Sequence, residues 1–179
     1  MQIKELNIQG CYTVDIPSFK DDRGCFVKTF NINALKNTPL EYFELKEEFY
    51  STSKKNVLRG LHFQEPPSAH NKIVTCTDGK VLDFFVDLRK LSNTYGKHIT
   101  LTLDSEKPQL LYLPKGLAHG FLTLSENATL LYKTDFVYSP KDDQGIHWSS
   151  IGLELPNNEF IISDRDNKFS PLADYKSPF

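Results

Sequence analysis

The sequence predicts an all-β protein, built as an antiparallel sandwich or barrel. Strand-like runs recur with turn signals at intervals of about 8 to 12 residues, and only one short segment favours a helix. Aromatic residues, which favour strands, are abundant, with 13 Phe, 8 Tyr and 1 Trp. A chain of 179 residues fits a single domain, 1–179, and we expect its last part, from about residue 145, to form an irregular, partly helical arm on the barrel.

In the first half of the chain, strand-like runs alternate with turns. Strands are predicted at 11–17, 25–30, 41–53 and 57–64, and "FKDDRG" after the first of them reads as a turn-rich link. Asn31 or Asn33 could cap a short helix in "NINALKN". Two prolines in "EPPSAH" exclude a helix or a central strand there.

The second half predicts three pairs of strands around turns, at 72–89, 97–114 and 116–140. Asp78-Gly79 in the first pair is a strong hairpin signal. The alternation in its second strand places Leu82, Phe84, Val86 and Leu88 on one face, and Val81, Asp83, Phe85 and Asp87 on the other. The last 30 residues or so lose this alternation, as expected of an arm with short turns.

Composition excludes several classes of function. The formal net charge is −2, from 21 basic and 23 acidic residues, so no basic surplus suggests a nucleic acid or a membrane surface as partner. No apolar run approaches the roughly 18 residues of a membrane span, and the first residues lack an apolar signal core, so we expect a cytoplasmic protein. The three cysteines include no C-x-x-C pair, which favours reduced thiols over a disulfide scaffold or a zinc site.

The stretch "VLRGLHFQ", 57–64, carries two polar groups in an apolar strand. Buried charges are costly unless they are paired, so Arg59 and His62 are candidates for a site. Three positions apart, they face opposite sides of a regular strand. Either Gly60 hosts a bulge that re-aims one of them, or Arg59 serves the site of a neighbouring subunit.

Further candidates lie on other strands. In "TLLYKTDFVY" the alternation puts Tyr132 and Tyr138 on an inward face, either as polar groups in a cavity or as ordinary core tyrosines. His119 could be catalytic or a satisfied core histidine. Lys72 could be solvated, or could point inward and hold an oxyanion. Asp166 in "SDRD" is of the type that orients an imidazole, but the pattern does not say that it reaches His62.

Motifs for other chemistries are missing. "HFQ" has Gln64 where an H-x-H metal motif needs its second ligand, so no metal is predicted. Neither a G-x-S-x-G elbow, a P-loop nor a dinucleotide fingerprint occurs.

Taken in order, several motifs resemble one known family over about residues 10 to 172. They are "DDRGCF", "VLRGLHFQ", "GKVLDFFVDLRKLSNTYGK", "LYLPKGLAHGFLTLSENA", "YKTDFVYSP", "GIHW" and "SDRD". The sequence resembles the dTDP-4-dehydrorhamnose 3,5-epimerases and related nucleotide-sugar epimerases. The resemblance implies a cupin-like double-stranded β-helix (jelly roll) and a homodimer that exchanges N-terminal strands. It also implies an enzyme without cofactor or metal, whose substrate is a nucleotide diphosphate 4-keto sugar for bacterial surface polysaccharides.

The resemblance also implies roles for particular residues. The base that removes a proton at C3 or C5 is His62, paired with Asp166, and the acid that returns a proton is Tyr132. Lys72 holds the enolate oxygen, and the substrate-binding residues are Arg23, Phe26, Lys28, Glu47, Arg59, His119 and Tyr138. Both arginines match residues that bind diphosphate, for which a planar guanidinium is suited.

Three positions depart from the family pattern. Lys28 stands where glutamate is common, Glu47 replaces a glutamine and Phe49 an asparagine. Because these positions lie toward the nucleotide, dTDP-linked hexoses and GDP-linked heptoses both stay open, as does inversion at C3, at C5 or at both. Two other functions are weighed: a nucleotide-sugar 3,4-ketoisomerase on the same barrel, and a non-catalytic sugar-nucleotide binding module.

Overall fold

The computed structural model describes residues 2–156 and 158–179. Within them, two antiparallel sheets pack face to face, and a two-stranded hairpin projects from them. The six-stranded sheet has the order β1 (Ile3–Glu5), β2 (Tyr12–Asp15), β10 (Gln109–Leu113), β7 (Lys72–Asp78), β12 (Asn127–Thr134), β5 (Glu47–Lys54). The five-stranded sheet has the order β13 (Asp143–Gly145), β6 (Leu58–Gln64), β11 (Leu117–Thr123), β8 (Lys80–Asp87), β9 (His98–Asp104). The hairpin is β3 (Ser18–Asp21) with β4 (Gly24–Val27).

Helical segments are short in the described residues, and none is long and apolar enough to cross a membrane. The one α-helix, α1 (Ile32–Leu35), begins after Asn31, whose side chain accepts a hydrogen bond from the backbone N–H of Asn33. This confirms the cap predicted from the sequence. Three short 3₁₀ helices, Trp148–Ile151, Asp166–Lys168 and Leu172–Asp174, lie in the C-terminal arm.

The three predicted strand pairs exist as strands, but their pairing was predicted wrongly. β7 and β8, which flank Asp78-Gly79, lie in opposite sheets, as do β9 and β10, and β11 and β12. A Cβ on Gly79 would lie 2.1 Å from the carbonyl oxygen of Asn127, so the tight turn marks a crowded corner where the chain changes sheets. Because the chain alternates between two facing sheets in this way, the fold is the predicted jelly roll.

The prediction of a turn-rich link at "FKDDRG" was also wrong. Ser18–Asp21 forms β3, and the true turn is confined to residues 22 and 23, where Asp21 accepts a hydrogen bond from the backbone N–H of Arg23. The strand predicted at 25–30 ends at Val27. β3 was missed because the charged residues of a two-stranded ribbon leave little apolar alternation to detect.

Three apolar clusters hold the sheets together. The first fills the space between the sheets, and includes Phe85. The second joins the outer face of the five-stranded sheet, including Phe84, to the C-terminal arm. The third joins the outer face of the six-stranded sheet to the segment around α1. The predicted faces of β8 are thereby confirmed.

Polar residues interrupt the inner face at one end of the barrel. On β7 that face runs from Cys76 through Val74 to Lys72, and on β12 it runs from Leu130 through Tyr132 to Thr134. The apolar core therefore gives way to ionisable groups at a single end, where a cavity opens.

Candidate active site

A cavity of about 270 Å³ opens between the two sheets. Seven residues predicted from the sequence line it: Glu47, Arg59, His62, Lys72, His119, Tyr132 and Tyr138. They come from strands of both sheets and from the loop after β12, so the barrel brings together residues that are distant in the sequence.

A β-bulge at Gly60 explains how Arg59 and His62 reach one cavity. His62 pairs with His119 and Arg59 with Phe121, so three steps along β6 face two along β11. Gly60 has φ +114°, and a Cβ there would lie 2.5 Å from the Cα of Gly120. The bulge predicted from the sequence is confirmed, and Arg59 lines the cavity of its own chain, where its Nε donates to Ser53 Oγ at 3.0 Å.

His62 is held by a carboxylate from the C-terminal arm. Its Nε2 lies 2.8 Å from Oδ1 of the buried Asp166, whose Oδ2 accepts a hydrogen bond from the backbone N–H of Gly60 at 3.0 Å. Burial alone would raise the pKa of Asp166, but the hydrogen bonds from His62 and Gly60 hold it below its ordinary value. Nε2 of a neutral His62 therefore carries the proton, and Nδ1 keeps its lone pair.

The ring of Phe169 supports His62 from the arm. The two rings meet edge to face, with centroids 5.6 Å apart. A side chain on Gly145, the neighbour of His62 on β13, would lie 2.2 Å from the Phe169 ring. A glycine at this position is thus needed for the arm to pack against the imidazole.

A second histidine–aspartate pair lies deeper in the barrel. His119 Nε2 is 2.8 Å from Oδ2 of Asp83, whose side chain is fully buried at 0% exposure. Burial raises the pKa of Asp83, and the nearby His119 and Lys72 oppose that rise. Asp83 was not among the predicted site residues. Its signal in the sequence was a carboxylate between Val81 and Phe85 on one face of β8.

Lys72 and Tyr132 both lie on the six-stranded sheet and line this cavity. Burial lowers the pKa of Lys72 to about 8, against the opposing attraction of Asp83 and Asp143. Burial raises the pKa of Tyr132, whose side chain is only 9% exposed, so the phenol stays protonated near neutral pH. A cation and a neutral acid thus face the same space as His62.

The rim contains residues that sequence reasoning missed. Arg165 donates from Nη2 to Asp143 at 2.7 Å, and the Tyr138 hydroxyl donates to the same carboxylate at 3.1 Å. Glu47 accepts a hydrogen bond from the backbone N–H of Tyr138 at 2.8 Å. The only signal for Arg165 was its place beside Asp166 in "SDRD".

Three predicted substrate-binding residues do not line the cavity of their own chain. Arg23 lies on the β3–β4 hairpin, 89% exposed, with its guanidinium bonded to Asp21. Phe26 is also largely exposed on that hairpin, against Phe19, and Lys28 borders a separate hollow beside α1. A role for these three residues at a substrate stays a prediction.

The assembled cavity can carry out proton transfer at a carbon atom. His62 offers a lone pair oriented by Asp166, Tyr132 offers a proton from the other sheet, and Lys72 offers a positive charge for a developing oxyanion. Such a set suits the removal and return of a proton beside a carbonyl group.

Known proteins share this sequence and fold. A family model described as dTDP-4-dehydrorhamnose 3,5-epimerase matches residues 5–174. The dTDP-4-dehydrorhamnose 3,5-epimerase of Shigella flexneri is 41% identical over 150 residues, covering 83% of each chain. A 4-keto-6-deoxy sugar epimerase from the novobiocin gene cluster of Streptomyces spheroides is 31% identical, with a TM-score of 0.92 over 97% of this chain and 88% of that one.

A third similar structure holds a ligand. The dTDP-6-deoxy-D-glucose-3,5-epimerase of Legionella pneumophila, solved in complex with dTDP-4-keto-L-rhamnose, has a TM-score of 0.92 and 28% identity over 98% of this chain and 94% of that one. The model match over nearly the whole chain and the identity to the Shigella enzyme lead to one assignment: the protein belongs to the dTDP-4-dehydrorhamnose 3,5-epimerase family of nucleotide-sugar epimerases.

Proposed function

We propose that this chain inverts C3 and C5 of a dTDP-linked 4-keto-6-deoxyhexose, with His62 as base and Tyr132 as acid. One observation carries the proposal. His62 belongs to the five-stranded sheet and Tyr132 to the six-stranded sheet, and both line one cavity between the sheets. A sugar ring held between the sheets has a base on one side and an acid on the other, as inversion requires.

The steps balance with the chain's own groups. His62 takes the proton from C3 or C5, the C–H electron pair becomes the C=C bond of an enolate, and the carbonyl electrons move to O4. Lys72 stabilises the O4 oxyanion. Tyr132 then gives its proton to the opposite face of the same carbon, the C=O bond re-forms, and solvent restores both proton carriers. Lys72 is essential to this scheme, because a ketone α-proton is far less acidic than imidazolium, and each pKa unit of mismatch costs about 1.4 kcal/mol.

The nucleotide is inferred from the relatives. The Shigella relative is named as acting on a dTDP sugar, and the Legionella structure contains one. We therefore favour dTDP over GDP, and a 6-deoxyhexose over a heptose. Arg59 at the cavity wall is the proposed diphosphate ligand. The name of the Shigella enzyme also supports inversion at both carbons.

A homodimer is part of the proposal. Arg23, Phe26 and Lys28 lie outside the cavity of their own chain, and the hairpin that carries the first two exposes Phe19 and Phe26. We propose that this hairpin reaches the cavity of a second copy, in the cytoplasm, where such sugar nucleotides would supply surface polysaccharides. Analytical ultracentrifugation should then give twice the chain mass of 20.5 kDa.

Proton exchange followed by NMR in D₂O tests the chemistry. We expect the protein to place deuterium at C3 and C5 of dTDP-4-keto-6-deoxyglucose, and to do so far more slowly with a GDP-linked 4-keto sugar. His62→Asn should abolish the exchange. Tyr132→Phe should retain exchange and lose most inverted product. No exchange with any 4-keto nucleotide sugar by folded protein would refute the proposal.

The same spectra separate the alternatives. A 3,4-ketoisomerase would move the carbonyl ¹³C signal from C4 to C3, whereas an epimerase leaves it at C4. A binding module would shift ligand signals without any exchange. Deuterium at one carbon alone would restrict the proposal to a single inversion.

A further inference from the structure

Phe49 lies directly against the proposed acid. In the β5–β12 pairing Phe49 is the Cα partner of Tyr132, and the two rings stack with centroids 4.9 Å apart and an interplanar angle of 14°. Glu47, Phe49 and Ser51 alternate along β5 and all line the cavity. The contact is therefore a cross-strand pair on the cavity side of the sheet.

The Tyr132 ring is enclosed on two sides. His119 meets it edge to face, with centroids 6.2 Å apart and an angle of 71°. His119 is itself fixed by the buried Asp83. The Tyr132 ring thus has two aromatic contacts, Phe49 stacked on it and His119 edge to face with it. Because Phe49 stacks on the Tyr132 ring, it restricts rotation of that ring about its side-chain bonds.

Burial distinguishes Phe49 from an ordinary core aromatic residue. Phe49 is 46% exposed, whereas Tyr132 is 9% exposed. A half-exposed ring adds little to the apolar core, and Phe49 does not belong to the cluster between the sheets that contains Tyr132. What it does cover is one face of the Tyr132 ring.

We propose that Phe49 is a positioning residue, which fixes the Tyr132 phenol at the angle from which its proton reaches the sugar carbon. The inference rests on the proposed role of Tyr132 as acid. The proton that His62 removes can be replaced in two ways. Tyr132 can deliver one to the opposite face, which inverts the carbon, or His62 can return one to the original face, which only exchanges it. Phe49 would set the ratio of inversion to exchange without touching the base.

The test measures that ratio by NMR in D₂O with dTDP-4-keto-6-deoxyglucose. Phe49→Ala and Phe49→Leu should keep deuterium exchange within about threefold of wild type and lower inverted product about tenfold. The loss is smaller than the roughly 10²- to 10⁴-fold that a positioned acid contributes, because Tyr132 itself is still present. Phe49→Tyr, which keeps the stacked ring, should restore the ratio. Tyr50→Ala is the matched control, because Tyr50 is the exposed neighbour that does not line the cavity.

The possible results for the Phe49 variants distinguish a positioning role from a structural role. An unchanged ratio in both Phe49 variants refutes the inference. So does a parallel loss of exchange and inversion, which would indicate a structural role. If Phe49→Ala fails to give a cooperative thermal transition, Phe49→Leu, with most of the apolar volume, decides alone. If Tyr132→Phe keeps full inversion, the proposed acid itself is wrong; if Tyr132→Phe behaves as expected and the Phe49 variants match wild type, only this inference is wrong.

Discussion

The cavity and the β3–β4 hairpin are built in opposite ways. In the cavity, every proposed acid or base lies on a strand of a large sheet or is held to one, as Asp166 is by Gly60. On the hairpin, Arg23 is 89% exposed and its guanidinium is bonded to the neighbouring Asp21. The chain thus fixes its proton-transfer groups in the barrel and leaves Arg23, a predicted diphosphate ligand, on a projecting ribbon.

The contrast assigns different consequences to mutation. Substitution in the cavity should lower kcat, and sometimes stability, because it disturbs a packed and hydrogen-bonded set. Substitution on the hairpin should change binding alone. Four variants test this division, from the bulge outward to the hairpin.

Gly60→Ala should have the largest effect. A Cβ at φ +114° is strained, and at 2.5 Å from the Cα of Gly120 it forces the two strands apart. Since the bulge aims both Arg59 and His62, we expect kcat/KM to fall about 10⁴-fold and the free energy of unfolding to fall by about 3 kcal/mol. Steady-state kinetics and urea unfolding measure the two effects.

Gly152→Ala is the control for the bulge. Gly152 also has a positive φ, +72°, but nothing lies within 4 Å of its added Cβ. Gly152→Ala should lower the free energy of unfolding by about 1 kcal/mol, because only the positive φ is unfavourable, and it should leave activity unchanged. Equal effects at Gly60 and Gly152 would mean that close approach to Gly120 is unimportant.

The bulge also shows what sequence can reveal. Two polar residues three positions apart around a glycine made it one of two alternatives, because a regular strand would separate Arg59 from His62, and the observed register decides for the bulge. The two faces of β8 and the inward position of Tyr132 on β12 followed from the same period of two. A local pattern predicts a local geometry well.

Pairing between strands could not be predicted in this way. The sequence Asp78-Gly79 indicates a turn whether the next strand pairs in the same sheet or crosses to the other one. Only the packing of the whole barrel determines which of the two occurs. Asp83 was overlooked for a similar reason, since its partner His119 is 36 residues away. Nor does any local pattern say that a hairpin carrying Arg23 stays outside its own cavity.

Asp166→Asn should have the second-largest effect. The carboxylate accepts hydrogen bonds from both His62 Nε2 and the backbone N–H of Gly60. An amide has one oxygen, so if that oxygen stays with Gly60, its NH₂ group faces Nε2 and favours the tautomer with the proton on Nδ1. The lone pair that serves as base is then lost, and we expect kcat to fall about 10³-fold with KM little changed.

The matched control for this change is Asp164→Asn, two residues away and exposed. It removes the same charge and should leave kcat within about twofold of wild type, as surface substitutions usually do. A loss common to both variants would indicate that net charge near the arm, rather than the tautomer of His62, controls the rate.

Lys72→Met should lower kcat about 100-fold, the usual cost of removing one donor from an oxyanion site. The same substitution should raise the free energy of unfolding at neutral pH. The pKa of Lys72 is lowered to about 8 in the folded chain from an ordinary value of 10.5, so the folded state disfavours the proton that the unfolded state binds. Lys72 therefore lowers the free energy of unfolding of the wild type by its full amount below about pH 8, and this loss disappears as pH rises toward 10.5.

Urea unfolding at several pH values tests this sign. The variant should be more stable than wild type at pH 7, and its advantage should shrink by pH 10. Lys80→Met is the control, since Lys80 is an exposed lysine paired with Asp104, a pairing that raises its pKa. It should be slightly less stable than wild type at pH 7, because an exposed ion pair contributes little. A Lys72→Met protein destabilised at pH 7 would contradict the burial of its ammonium group.

Arg23→Ala should have the smallest effect on the isolated chain and the most specific effect on binding. Its side chain is almost fully exposed, so the thermal midpoint should not change. If the guanidinium binds diphosphate, KM should rise about tenfold while kcat stays within about twofold, because the lost contact is equal in ground and transition states. A fall in kcat alone would place Arg23 in the chemistry and break the contrast between hairpin and cavity.

Co-expression of Arg23→Ala with His62→Asn decides whose cavity the hairpin serves. If each hairpin serves the other subunit, a mixed dimer has one intact site: the Arg23→Ala chain supplies His62, and the His62→Asn chain supplies Arg23. The purified mixed dimer should then show the wild-type KM with about half the wild-type kcat, as one working site of two requires. If each hairpin serves its own chain, the His62→Asn site is dead and the other site lacks its arginine, so only the raised KM remains. That result would leave strand exchange without a function at the substrate.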